Sequence, residues 1–222
     1  LNCGIGSGDN KNIVRKNLNS VCNKIKCNKN KLILMNQTHS NNFKFVGSLK
    51  KTRGKKINSD ALITNLKGIC LGVLTADCAP VLIYDKNIKM ISVIHAGWKG
   101  ALGGIIKEVI FYFKKKGSNF RNINAVIGPC ISKKNYEVKK DFVTKFIKKD
   151  KKNRKFFSKK NYKTYFSLNS YIKHEIIRLG IKNIEIINRD TYNSKNNFFS
   201  ARKSIKNKVN DYGRNISVIM IN

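Results

Sequence analysis

The chain has 222 residues, 41% of them hydrophobic, which is enough to bury a sizeable core in one domain and too much for a disordered chain. Its net charge of +34 comes from 38 Lys and 8 Arg set against 12 acidic residues, and it is spread along the whole chain together with 30 Asn. That pattern follows an AT-rich codon bias, and no clustered Arg and aromatic face marks a nucleic-acid module.

In chain order, Ile13, Val14, Leu18, Val21, Cys22 and Ile25 repeat at helical spacing, which predicts an amphipathic helix capped by Asp9 or Asn10. Strands are expected at Leu32–Asn36, Phe43–Val46, Ala61–Thr64, Ile69–Thr75, Val81–Tyr84 and Met90–His95. The tight turn at Asp85-Lys86-Asn87 makes the last two of these a hairpin. A helix is expected from Gly100 to Lys116, then a buried strand at Asn124–Ile127 leading into Gly128-Pro129-Cys130. Phe142–Ile147 reads as helical, Lys148–Lys163 as an exposed loop, and Ser167–Leu179 as a helix ended by Gly180. Ile184–Ile187 and Ile216–Ile221 close the chain as strands. This mixture favours an α+β fold in a single domain, residues 1–222.

No apolar run approaches the ~20 residues that span a bilayer, and the first residues do not form a signal peptide. The six cysteines show no even spacing: Cys70 lies inside a strand run, Cys78 ends it, and Cys130 follows a Gly-Pro pair. Free thiols in a reducing cytoplasm are expected. Cys22 and Cys27 lack the histidines for a zinc knuckle.

Of three histidines, His174 sits mid-helix and reads as a surface residue. His39 and His95 each end an apolar run, as Cys78 does. Two imidazoles and a thiolate at strand ends make a three-ligand metal site with an open position, the arrangement of a catalytic zinc centre. The loop Ala96-Gly97-Trp98-Lys99-Gly100 opens a helix, with Lys99 beside a possible anion site. Asp77 is placed to orient a ligand or move a proton, Asp60 to cap a strand or support a ligand, and Arg202 to bind an anionic group.

Gln37-Thr-His39-Ser, Asp60-Ala-Leu-Ile-Thr, Thr75-Ala-Asp77-Cys78-Ala-Pro, His95-Ala-Gly-Trp-Lys99-Gly and Ile127-Gly-Pro-Cys130-Ile resemble the YfiH family. So do Asp190-Thr-Tyr192, Phe198-Phe-Ser-Ala-Arg202 and Asp211-Tyr-Gly-Arg214, and the resemblance runs in order along essentially the whole chain. These are the laccase-domain or polyphenol-oxidase-type proteins, now regarded as purine nucleoside phosphorylases. The resemblance implies zinc on His39, Cys78 and His95. It also implies phosphorolysis of adenosine, inosine and S-methyl-5'-thioadenosine, with adenosine deamination besides. Asp77, Cys78 and His95 would then be catalytic, and Gln37, Asp60, Lys99 and Arg202 would bind substrate or phosphate. The implied fold is a four-layer α+β arrangement of mixed sheets covered by helices, shared with certain cysteine-dependent toxins. Relatives usually carry an Arg- and Gly-containing segment ahead of Leu1, expected to contribute to the pocket, and an aromatic at Ala201.

The expected partners are purine nucleosides and phosphate, with no specific nucleic acid, no membrane and a monomeric chain. Copper is the alternative metal, but a multicopper oxidase needs more histidines than the three present. A cysteine hydrolase with Cys78 as nucleophile and His95 as base would use the same residues.

Overall fold

A computed structural model describes residues 1–52 and 56–222. Its elements are, in order, α1 (Lys11–Lys24), β1 (Leu32–Ile33), β2 (Phe43–Phe45), α2 (Leu49–Thr52), β3 (Ala61–Thr64), β4 (Cys70–Thr75), β5 (Ala79–Asp85) and β6 (Met90–Ala96). There follow α3 (Trp98–Gly103), α4 (Ile105–Lys115), β7 (Ile123–Ile127), β8 (Glu137–Val138), α5 (Lys140–Lys149), β9 (Phe157–Lys160) and β10 (Lys163–Phe166). The chain closes with α6 (Leu168–Arg178), β11 (Asn183–Ile186), α7 (Ala201–Lys206) and β12 (Asn215–Met220).

The central sheet has six strands in the order β11-β7-β5-β6-β3-β2, parallel at its two outer pairs and antiparallel between. A second sheet, β1-β4-β12, lies against it, and a third, β8-β10-β9, packs beside α5. Strand alternation decides the layering, because successive side chains point to opposite faces. In β3, Ala61 and Ile63 join the core under α4 and α6, whereas Leu62 faces Ile33, Leu71 and Val73 of the second sheet. The far face of that sheet, through Leu32, Leu34, Leu74 and Ile216, is covered by Val14 and Leu18 of α1. The result is helix, sheet, sheet, helix: the four-layer α+β arrangement expected from the resemblance.

Helix α1 starts as anticipated, with the Asn10 side chain accepting from the N–H groups of Asn12 and Ile13. Four expectations need correction. The predicted helix from Gly100 is two helices starting at Trp98, broken where Gly104 takes φ 91°. The first strand is only Leu32–Ile33, since the chain beyond it turns away, leaving a lone bridge from Asn36 to Asn58. Cys78 does not end β4; it lies between β4 and β5, where the chain crosses from one sheet to the other. Lys148–Lys163 is not a loop: after α5 ends, a 3-10 turn at Lys151–Phe156 leads into β9, which forms a hairpin with β10. Phe156, Phe157 and Phe166 anchor that region against Phe142, Phe146 and Tyr171, a contribution hidden in the sequence by the surrounding lysines.

Candidate metal centre

The β5–β6 hairpin sets two of the three ligands. Its register pairs Pro80 with His95 and Ala79 with Ala96, which carries Cys78 alongside Gly97. A Cβ on Gly97 would come within 2.9 Å of Cys78 Sγ and 3.1 Å of His39 Cδ2, so only glycine leaves these side chains room to converge. Gly97 is also the N-cap of α3, which therefore begins directly against the site.

His39 arrives from a loop and not from a strand end. Its backbone is left-handed at φ 59°, and the loop is wound around the buried Asp60 carboxylate. Asp60 accepts from the Thr38 N–H and hydroxyl, from the His39 N–H at 3.0 Å, and from the Ser40 N–H and hydroxyl, both at 2.7 Å. The same carboxylate takes the His95 Nδ1 hydrogen bond at 2.8 Å. Fixing Nδ1 leaves Nε2 of His95 as the ligand atom. Of the two roles the sequence leaves open, strand cap and ligand support, these partners are those of ligand support.

The ligand atoms of His39, Cys78 and His95 all lie within 4.8 Å of one another, with Cys78 Sγ 3.9 Å from His39 Nε2. The histidine rings meet edge to face at 4.7 Å. His95 is buried, Cys78 half-buried and His39 exposed, so the cluster opens to the surface on the His39 side. Burial pushes the Cys78 thiol up, but hydrogen bonds and charge from His39 and His95 outweigh it and bring the group down to about 7. Burial lowers His95, while the Asp60 hydrogen bond and Cys78 raise it to about 9. Burial also works against the Asp60 charge, yet His95 and Ser40 hold its carboxyl well below the usual carboxylate range. Two imidazoles, one thiolate-prone sulfur and a carboxylate behind one ring form a donor set that fits a borderline-soft divalent metal.

The other predicted site residues fall around this centre. Asp77, at φ 85°, accepts from the Thr191 hydroxyl at 2.6 Å, the Ser200 hydroxyl at 2.9 Å and the Arg202 N–H at 2.6 Å. Arg202 sends Nη1 to the Glu137 carbonyl at 2.8 Å, and its guanidinium lies 5.3 Å from the Tyr136 ring centre. Gln37 is spent on β4: its Nε2 donates to the Leu74 carbonyl at 2.6 Å and its Oε1 accepts from the Leu74 N–H at 2.9 Å. It also lines a cavity of about 450 Å³ with Gly4, Gly6, Asn36 and Arg214. Lys99 is exposed, 5.8 Å from the Trp98 ring centre, and makes no hydrogen bond to the three ligands among the described residues.

Sequence reasoning missed Tyr136. Burial pushes its phenol up, Cys78 adds to the effect and Arg202 opposes it, which places the ring within electrostatic reach of both. A lone aromatic in the loop after Gly128-Pro129-Cys130 carries no signal that would have found it. All six cysteines are free, and no helix among the described residues is long and apolar enough to cross a membrane.

The model of a family described as "Multi-copper polyphenol oxidoreductase laccase" matches residues 1–222. A purine nucleoside phosphorylase of Rickettsia prowazekii is 33% identical over 207 residues, covering 92% of this chain and 83% of the relative. An adenosine deaminase from an unknown prokaryotic organism is 40% identical over 89 residues, covering 40% of this chain and 34% of its own. The crystal structure of the hypothetical protein YfiH of Bacillus licheniformis superposes with a TM-score of 0.91 at 27% identity, covering all of this chain and 85% of that one.

Proposed function

The chain belongs to the family described as multi-copper polyphenol oxidoreductase laccase, and from its likeness to purine nucleoside phosphorylases we propose that it is a zinc-dependent enzyme of that kind. Adenosine, inosine and S-methyl-5'-thioadenosine would be its substrates, with adenosine deamination as an additional activity. The observation that carries the reading is the convergence of His39, Cys78 and His95 within 4.8 Å, in a chain alignable over 92% of its length with a purine nucleoside phosphorylase. A multicopper reading has no support in the donor count, because three histidines are all the chain contains.

In phosphorolysis a phosphate oxygen bonds to the ribose anomeric carbon. The bond from that carbon to the purine nitrogen breaks, the electron pair leaves with the base, and the base takes up a proton. Ribose 1-phosphate and free purine result. His39, Cys78 and His95 would hold zinc, which supplies Lewis acidity when bound. Asp60 holds the His95 ring through Nδ1 and the His39 loop through its N–H groups, so neither imidazole has to be ordered when substrate arrives. Arg202 and Lys99 supply the positive charge that a phosphate dianion needs, while Gln37, pinned to Leu74, lines the cavity it shares with Asn36 and Arg214. Deamination would be a separate reaction on the base: a water oxygen bonds to the purine six-carbon, the bond from that carbon to the amino nitrogen breaks, and the nitrogen leaves as ammonia after taking up a proton.

The Cys78 thiol, brought to about 7, suits a nucleophile as well as a ligand, so cysteine hydrolase chemistry with His95 as base is the second reading. Incubation of zinc-loaded protein with inosine and adenosine, with and without phosphate, separates the two. Ribose 1-phosphate formed only with phosphate supports the phosphorylase. No base released in phosphate buffer, from protein carrying about one zinc per chain, overturns it.

A further inference from the structure

We propose that Asp77 is a positioning residue that presents Arg202 as the phosphate-binding group of this site. The inference rests on the phosphorylase reading and names the residue that positions Arg202 within it. Asp77 directly precedes Cys78, in a left-handed turn at φ 85°, and is only 8% exposed. Its carboxylate makes no hydrogen bond to the metal ligands' side chains among the described residues. It reaches instead to a segment more than a hundred residues away. One oxygen takes the Thr191 hydroxyl at 2.6 Å, and the other takes the Ser200 hydroxyl at 2.9 Å and the Arg202 N–H at 2.6 Å. A carboxylate with both oxygens engaged in this way is well placed to lock a loop onto the residue beside a metal ligand.

Arg202 is then held at both ends. Asp77 fixes its backbone, while the Glu137 carbonyl and the Tyr136 ring fix its head. Of the guanidinium's five N–H donors, one is used, at Nη1, and no carboxylate lies within ion-pair distance of it among the described residues. A half-buried arginine with its backbone pinned, its fork largely unspent and no acidic partner is prepared for a bidentate oxyanion. Inorganic phosphate is the oxyanion that phosphorolysis requires. Because the ordering cost is met within the fold, binding should be tighter than a mobile surface arginine allows.

The test compares the full chain, zinc-loaded, with Asp77→Asn, Arg202→Ala and the double variant. Asn keeps the size of Asp but loses its charge and turns a donor toward one of the three groups it served. Expected for Asp77→Asn are a roughly tenfold rise in the KM for phosphate, less than twofold change in the KM for inosine, and unchanged zinc content. Titration calorimetry with inorganic phosphate should show the same loss of affinity. On the Arg202→Ala background, Asp77→Asn should add nothing further, because one acts through the other. Phosphate affinity untouched by Asp77→Asn, or losses that multiply in the double variant, overturn the proposal. Should Asp77→Asn fail to fold, Ser200→Ala removes one leg of the clamp and is judged by the same criteria. Absence of phosphorolysis in the unaltered protein counts against the parent reading, and the calorimetry still decides whether Asp77 governs phosphate binding.

Discussion

The Asp60 carboxylate stands 2.8 Å from Nδ1 of His95 while also accepting the backbone N–H of His39 at 3.0 Å, so one buried side chain sets both imidazoles of the centre. It links the β3 start, the β6 end and the loop after β1. The carboxylate is fully buried, and from there it orients the two imidazoles.

Asp60→Asn tests that role. The amide can still accept from one side but offers an N–H toward donors on the other, leaving at least one buried N–H or hydroxyl unmatched. Zinc affinity should fall about 10- to 100-fold, as for other groups that orient a metal-bound histidine. Competition with a chromophoric chelator measures this directly; an unchanged affinity would falsify the orienting role.

Gly97→Ala should damage the centre without unfolding the chain. Its Cβ would sit 2.9 Å from Cys78 Sγ and 3.1 Å from His39 Cδ2, so the two ligands must part. Bound zinc per chain should drop well below that of the unaltered protein, with the far-ultraviolet dichroism kept. Full metal content in the variant would show that the site yields more easily than its contacts indicate.

Zinc uptake should release protons and strengthen with pH. His95 is raised to about 9 by Asp60 and Cys78 against the effect of burial, and Cys78 is brought to about 7 by His39 and His95, again against burial. Binding requires neutral imidazole and thiolate, so each proton still held at neutral pH must leave. Apparent affinity should rise between pH 6 and 9, and Cys78→Ser should lose most of the bound metal. A flat profile over that range would contradict the charge arrangement described.

Acid should destabilise the fold through Asp60. Burial disfavours its charge, but the His95 and Ser40 hydrogen bonds hold its carboxyl well below the usual carboxylate range, so its folded value is depressed relative to the unfolded chain. Its contribution is fully present above about pH 4 and is lost as pH falls through the lower folded value. Asp190, lowered by Ser132 and Tyr192 despite burial, acts in the same direction. Thermal melting of metal-free protein should therefore show a steeper loss below pH 4 in the unaltered chain than in Asp60→Asn.

Much of this could be read in advance. Short continuous apolar runs located β3, β4, β5 and β6, because a strand buried on both faces has to write Val, Ile, Leu and Ala one after another. The turn at Asp85 fixed the hairpin, and the hairpin register brings Cys78 near His95. The ligands themselves were therefore legible, since few residue types bind a soft metal and the chain holds only three histidines.

What remained hidden were the relations between distant segments. Nothing local shows that Asp77 reaches Ser200 and Arg202, because the sequence holds only an aspartate after a strand. Nothing local shows that Gln37 spends its amide on Leu74, that Tyr136 comes within reach of Cys78, or that the lysine-rich stretch after Lys148 conceals a hairpin. Composition and periodicity are properties of a segment and survive in the sequence. Hydrogen-bond partnership depends on which segments the packed layers bring together, and only the tertiary structure decides that.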